Sequence, residues 1–323
     1  MSTARAWSTA GLPDQTGRTV IVTGANTGLG KSTARALAGQ GALVVMACRN
    51  EAKALAARDE LTATGVDPRQ LAVRRLDLGD QASVRGFAEG FLAEHDRLDL
   101  LINNAGLSGT RYAKTVDGYE TQFGVNHLGH MALTLRLLPA VVATPGSRVV
   151  TLSSGAHRFG RIRFDDPHFD RGGYRAFPAY AQSKLANYLF SAELGRRLAA
   201  AGHRTISVAV DPGFARTELG TKQASRTQRL VMRVSYLLVP SHSAETGAGP
   251  TLRAATDPNA VSGQLYAPRL GTRGGPVVQR PSRRTTGDPQ VAARLWDASL
   301  TMLGLEPPAV LAAVDARNNP TDR

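Results

Sequence analysis

Two side chains four residues apart open the question of chemistry. In AYAQSKLANYLF (Ala179–Phe190), Tyr180 and Lys184 fall on one face if the segment is helical. A free phenol has a pKa near ~10, too high for efficient acid–base work at neutral pH. An ammonium one turn away stabilises the phenolate and brings the phenol within range. Ser153 and Ser154 end the run RVVTLSS, and a hydroxyl there could hold the oxygen of a carbonyl or alcohol beside the phenol. The pair alone is weak: with this chain's tyrosine and lysine content it arises by chance about once in ten such chains. The other segments must decide.

A second constellation suits phosphate. TGANTGLG (Thr23–Gly30) follows an apolar run and opens a helical pattern, with glycines at 24, 28 and 30. Glycine lets the backbone approach a phosphate, and a helix N-terminus presents free N–H groups to it. The residues of this cradle are Gly24, Asn26, Thr27, Gly28, Leu29 and Gly30. An acidic residue ending the next strand would select the ribose 2′-hydroxyl of NAD. This chain has Cys48 and then Arg49 there, and a guanidinium suits the 2′-phosphate of NADP, with Lys31 close by. NADP is therefore expected ahead of NAD. Asp77, with Leu78 beside it, can receive an adenine amino group. Its other use would be as a helix cap, for which Asp80 is better placed. No metal cluster is expected.

These groups need a frame. Arg18–Thr23, Ala42–Cys48, Leu71–Asp77, Leu98–Asn104, Ser147–Ser153, Thr205–Val210 and Gly263–Ala267 read as strands. Between them, Lys31–Gln40, Glu51–Thr64, Ala82–His95, Tyr119–Val142, Ala179–Ala201 and Ser243–Thr256 read as helices, with a last one near Gln290–Leu303. This alternation predicts an α/β chain: a single Rossmann-type, doubly wound fold with an about seven-stranded parallel sheet and helices on both faces. The expected division is an N-terminal arm (1–17), a catalytic and cofactor-binding domain (18–268), and a C-terminal extension of loop and helix (269–323).

The charge of +13 raises a nucleic-acid reading. The excess lies mainly in the second half, spread through loops such as RLGTRGGPVVQRPSRR, with no aromatic-interleaved basic motif. An anionic small ligand is the better expectation, and no nucleic-acid partner is expected. One cysteine excludes an intrachain disulfide. Met1–Arg18 lacks an apolar leader core and no window reaches ~18 apolar residues, so no membrane span and a cytoplasmic location are expected.

With TGANTGLG, NNAG (Asn103–Gly106), GVNHLGH, the paired serines, YAQSK and DPGFARTEL in this order, the chain resembles the short-chain dehydrogenase/reductase family. The wider runs TGANTGLGK, ACR, SSGAH and YAQSKLAN are similar to its retinol dehydrogenase and protochlorophyllide reductase branch. The resemblance implies catalytic roles for Ser154, Tyr180, Lys184 and Asn126, with Asn126 kinking its helix and holding a water that joins the lysine to solvent. It places Asn104, Ala105 and Gly106 along the cofactor ribose, where Lys184 also bonds beside Tyr180. Pro212, Gly213 and Thr217 fall on the nicotinamide side. It implies hydride transfer between nicotinamide and a carbonyl or alcohol, and a homodimer or homotetramer paired through the two long helices.

The intact Ser–Asn–Tyr–Lys set argues against a redox-silent dinucleotide sensor of the same fold. Gly155–Pro178, with His157, Phe159, Phe164, Phe169, Tyr174 and Phe177, and Arg229–Val239 are candidate walls for an apolar or polycyclic substrate. The same residues could equally cap the core.

Overall fold

The computed structural model describes residues 7, 9–213, 243–269, 275–279 and 288–312. Eight strands form one sheet: β1 (Thr19–Thr23), β2 (Leu43–Cys48), β3 (Leu71–Arg75), β4 (Leu100–Asn103), β5 (Arg148–Leu152), β6 (Ile206–Val210), β7 (Leu265–Pro268) and β8 (Pro276–Gln279). Their order is 3-2-1-4-5-6-7-8, parallel through β7, with β8 antiparallel at the edge. The doubly wound fold is as expected. The added strand lies in the stretch read as loop, because a four-residue edge strand between arginine- and glycine-rich segments carries almost no periodic signal.

The helices are α1 (Gly28–Ala38), α2 (Glu51–Ala63), α3 (Gln81–Glu94), α4 (Thr121–Phe123, a π segment Gly124–Leu128, then Gly129–Ala143), α5 (Ala176–Ala200), α6 (Ala244–Thr256), α7 (Pro289–Leu303) and the short α8 (Ala309–Ala312). β1 shows why the sheet is closed on both faces. Val20 and Val22 join the core under α1 and α6, whereas Ile21 between them joins the opposite core with Met131 and Leu135 of α4. Successive side chains alternate faces, so a strand covered on both sides is apolar throughout. Each such fully buried side chain contributes roughly 1.5–3 kcal/mol.

Winding reverses between β1 and β4, and ligands of open α/β sheets bind at that switch point, outside the carboxyl ends of the strands. The register Val22↔Ile102 brings the end of β1, and hence TGANTGLG, beside NNAG. Leu152↔Val210 brings Ser153 and Ser154 beside Asp211. Among the described residues, the motifs at the ends of β1, β4, β5 and β6 therefore open onto one edge.

Candidate active site

The phosphate cradle is shaped by sterics. Gly24 and Gly28 take φ of 66° and 53°, where a side chain would be strained. Gly30 has ordinary torsions, but a Cβ there would fall on the Gly24 carbonyl oxygen and lie 2.5 Å from Asn104 Nδ2. Thr27 precedes α1 in an extended conformation and places no side-chain cap on it. Among the described residues no side chain caps the first N–H groups of the helix, which leaves them available to an anion.

A threonine ties this loop to the next. Thr23 Oγ1 receives the N–H of Asn104 and of Ala105, both at 2.9 Å, and Asn104 Nδ2 donates to the Thr23 carbonyl at 2.7 Å. The hydroxyl's own proton is directed by His130. Nδ1 of His130 faces the Asn126 carbonyl at 2.9 Å, so it carries the ring proton, and Nε2 accepts from Thr23 at 2.9 Å. Asn103 points the other way, bonding Thr134 at 2.9 Å within the sheet's underside. NNAG thus divides between sheet and cofactor edge. Neither Thr23 nor His130 was singled out from the sequence; the only signal was a second histidine four residues after Asn126.

Arg49 is exposed at the end of β2, with no ion-pair partner among the described residues. Lys31 is instead paired with Glu60, so the guanidinium is the freer cation. Burial raises the Cys48 thiol to about 11, in keeping with a strand residue without redox work. Asp80 caps α3 through Ala82 and Ser83, which leaves Asp77 to take only the Gly79 N–H at 2.9 Å. The Leu78 side chain is packed in the core, so only its backbone can meet a ligand.

Ser154, Tyr180 and Lys184 sit where β5 meets α5. The helix starts at Ala176, three residues before the expected start, with Pro178 tolerated in its first turn. Ser153 is buried and donates to the Lys184 carbonyl at 2.7 Å, leaving Ser154 as the available hydroxyl. Ser154 caps the short turn Gly155–Phe159 by accepting the Ala156 N–H at 3.3 Å, and its hydroxyl lowers the Tyr180 phenol, which places the two side chains together. Lys184 Nζ donates to the Leu152 carbonyl at 3.2 Å and lies 5.8 Å from the centre of the Tyr180 ring.

The tuning runs differently from the sequence expectation. Burial pushes the Tyr180 phenol up, the Ser154 hydroxyl works against that, and Asp211's charge adds to the rise. Burial also brings the Lys184 ammonium down to about 8, which Asp211 opposes. A phenol shifted up in this way keeps its proton at neutral pH and can donate a hydrogen bond. Asp211 is buried, takes the Gly213 N–H at 3.0 Å, and would lie 3.4 Å from a Cβ on Gly155. Its part in the site was not anticipated, because it reads as one more turn residue in DPG.

Asn126 lies in the π segment of α4, the break in regular winding that the resemblance implies. Its carboxamide clamps Leu107, accepting the N–H at 2.7 Å and donating to the C=O at 2.9 Å. It also donates to Ser183 Oγ at 2.9 Å, and Ser183 donates to the Tyr180 carbonyl at 2.8 Å. Asn126 therefore fixes the backbone that carries the phenol. A Cβ on Gly106 would sit 3.3 Å from both Asn126 Oδ1 and Lys184 Nζ, so these three converge.

The comparison with known proteins now decides the family. Residues 18–228 match the short chain dehydrogenase family. This chain belongs to it. The human retinol dehydrogenase 11 is 42% identical over 299 residues, covering 92% of this short-chain dehydrogenase and 88% of the relative. The human retinol dehydrogenase 12 is 40% identical over 291 residues, covering 90% and 87%. Among solved structures, a protein described as uncharacterized from Mycobacterium paratuberculosis superposes with a TM-score of 0.78 at 42% identity, covering 94% of this chain and 99% of that one. The residues fit a nicotinamide dinucleotide: a glycine cradle too tight for any Cβ at position 30, an uncapped helix start and an unpaired cation at the second strand.

The surrounding wall is narrower than the sequence suggested. Phe169 is buried under Arg163 at 4.6 Å, and Phe164 is half-buried beneath Arg294 at 3.9 Å. Tyr174 is bonded to the Thr110 carbonyl at 2.9 Å. His157 donates from Nδ1 to the Ser154 carbonyl at 2.6 Å and stacks on Tyr188, so it props the loop. Those residues cap the core. Phe159 and Phe177 stay exposed at 74% and 56%, 6.2 Å apart, on the segments that carry Ser154 and Tyr180. Pro212 and Gly213 follow β6 on the same edge; Thr217 and Arg229–Val239 lie outside the described residues. Among the described residues no metal-binding cluster occurs and no helix is long and apolar enough to cross a membrane.

The two histidines of α4 give the fold a pH dependence. Burial holds His127 down to about 3 and His130 down to about 4. Unfolded imidazoles titrate near ~6.5, so below that the unfolded chain binds protons the folded one refuses. Stability is complete above pH ~6.5 and falls as pH drops toward the folded values. Urea unfolding at about pH 5 should show roughly 2 kcal/mol less stability per imidazole than at about pH 7. An unchanged midpoint would show that these rings are not neutral and buried.

Proposed function

We propose that this short-chain dehydrogenase is a cytoplasmic, NADP(H)-dependent oxidoreductase that interconverts an alcohol and its carbonyl compound, with Tyr180 as the proton carrier. The observation that carries the reading is the meeting of Ser154, Tyr180 and Lys184 at the end of β5, on the same sheet edge as a phosphate cradle. Bound nicotinamide supplies or accepts the hydride. Tyr180 gives its proton to the substrate oxygen in reduction and regains one in oxidation. Ser154 holds that oxygen beside the phenol, and Asn126 keeps the Tyr180 backbone in place through Ser183.

Gly24, Asn26, Thr27, Gly28, Leu29 and Gly30 would hold the diphosphate, Asp77 and Leu78 the adenine, and Asn104, Ala105, Gly106 and Lys184 the ribose. Pro212, Gly213 and Thr217 would flank the nicotinamide. The relatives are named for an apolar alcohol, retinol, and the exposed Phe159–Phe177 pair supports an apolar substrate here.

The cofactor choice rests on Arg49. Arg49→Ala should weaken NADPH binding about tenfold or more and leave NADH binding unchanged, as loss of a charge-assisted contact to a 2′-phosphate requires. Fluorescence titration of both reduced cofactors measures it. Equal losses for the two would remove Arg49 from the choice, and tighter binding of NADH by the parent protein would reverse it.

A further inference from the structure

We infer that Asn187 is a further positioning residue of this site: it shares the Leu152 carbonyl with Lys184 and, backed by His127 and by Ser299 of the C-terminal helix α7, fixes the acceptor that aims the ammonium. The inference rests on the role proposed above for Lys184.

The starting point is a carbonyl outside the sheet ladder. β4 ends at Asn103, opposite Thr151 of β5. The N–H groups that follow, on Asn104 and Ala105, go to Thr23 Oγ1. The Leu152 carbonyl is thereby left to side chains of α5. A buried carbonyl needs partners and has two lone pairs to offer. Lys184 Nζ takes one at 3.2 Å, and Asn187 Nδ2 takes the other at 2.9 Å. Three residues apart on one helix, the two side chains share a face. This carbonyl is the one hydrogen-bond acceptor that Nζ meets among the described residues.

The carbonyl also settles the rest of the line. It can only accept, so it draws the Asn187 amide nitrogen toward itself and turns Oδ1 away. Asn187 works against the burial of His127 through a side-chain hydrogen bond, which places the two side chains together. His127 Nδ1 and Asn187 Oδ1 are both buried, and neither has another partner among the described residues. Oδ1 accepts, so Nδ1 carries the ring proton, and Nε2 accepts from the Ser299 hydroxyl at 2.9 Å. Ser299 is carried by α7, which packs Ala292 and Leu295 on Leu185, Ala186 and Leu189 and stacks Trp296 on Phe190. Buried polar groups of α7, α4 and α5 thus form one line that ends at the carbonyl holding Lys184. The helix expected to lie in an extension beyond the catalytic domain supports the lysine from behind.

Two donors compete for the charge on one oxygen, so Asn187 loosens the hold of that carbonyl on the ammonium. Other groups face Lys184 as well: Tyr180 from its own helix, Asp211 from the end of β6, and His130 from α4, with His127 beside it. Burial keeps both imidazoles neutral. The ammonium itself titrates at about 8, within reach of a direct measurement.

Carbon-13 NMR of the lysine Cε positions in the full chain makes that measurement. The chain has five lysines, and the signal missing from Lys184→Arg assigns the one required. In Asn187→Leu the carbonyl is left to the ammonium alone, so the Lys184 midpoint should move up by about half a pH unit or more, as the net contribution of one hydrogen bond sets. A change in burial alone would move it down, because leucine adds apolar surface. Ser191→Ala removes a buried polar contact one turn further along α5, to Ser207, and should leave the midpoint in place. In the parent protein, the nitrogen-15 shifts of His127 should place its proton on Nδ1, a readout that needs no variant to fold. A midpoint that stays or falls in Asn187→Leu, an equal rise in Ser191→Ala, or a His127 proton on Nε2 would overturn the inference. These spectra use neither cofactor nor substrate. A midpoint that rises in a protein without turnover would count against the proposed activity and not against Asn187.

Discussion

Tyr180→Phe is expected to lower turnover about a thousandfold while NADPH binding stays within about twofold of the parent protein, as loss of a positioned acid–base group predicts. The substitution removes one oxygen. The ring remains, and the α5 backbone is held independently by Ser183 and by the core under α7. What goes is the proton that the buried site keeps on the phenol, and with it the partner of Ser154. A carbonyl oxygen would then face a hydroxyl that has no proton source behind it. Steady-state rates together with a cofactor titration separate the two effects. Loss of binding along with rate would mean that the ring, and not its hydroxyl, is what matters.

Gly30→Ala has the second largest expected effect, and it acts on cofactor affinity. Gly30 is buried at the point where the first and fourth strand ends meet. The added methyl would fall on the Gly24 carbonyl and 2.5 Å from Asn104 Nδ2, so both cofactor loops must shift. Overpacking of this kind costs about 1–3 kcal/mol of stability. NADPH affinity should fall by at least about tenfold, because the displaced N–H groups are those proposed to hold the diphosphate. Gly86→Ala is the matched control. Gly86 lies in α3 with nothing within 4 Å of an added Cβ, so alanine there should stabilise the protein by up to ~1 kcal/mol. Thermal melting and cofactor titration of the two variants should therefore diverge in sign for stability. A Gly30→Ala protein that binds NADPH normally would show that the cradle does not need this close approach.

Much of this site was legible before any coordinates. Strands covered on both faces announce themselves as unbroken apolar runs, and glycine spacing after the first of them located the cradle. Tyr180, Lys184, Ser154 and Asn126 followed from motif order, and the sheet brings their elements to one edge. Less legible were the groups that act through others. Thr23 and His130 meet across 107 positions, and no local pattern reports such a contact. Asp211 was hidden in a turn motif. The direction of the Tyr180 shift was misread because spacing reports the nearness of a lysine but not how far burial outweighs it. The aromatic loop was ambiguous for a similar reason. Phe169 and Phe159 are alike in sequence, yet one is 3% exposed and the other 74%.

The central claim is that this protein moves hydride with NADPH and a proton with Tyr180. Oxidation of NADPH by the parent protein against a panel of ketones, aldehydes and polycyclic quinones, including the aldehyde of retinol, tests it most directly. The account predicts turnover of at least one apolar carbonyl, faster with NADPH than with NADH and nearly abolished in Tyr180→Phe. Tight NADPH binding with no turnover across the panel, or turnover that survives in Tyr180→Phe, would contradict it.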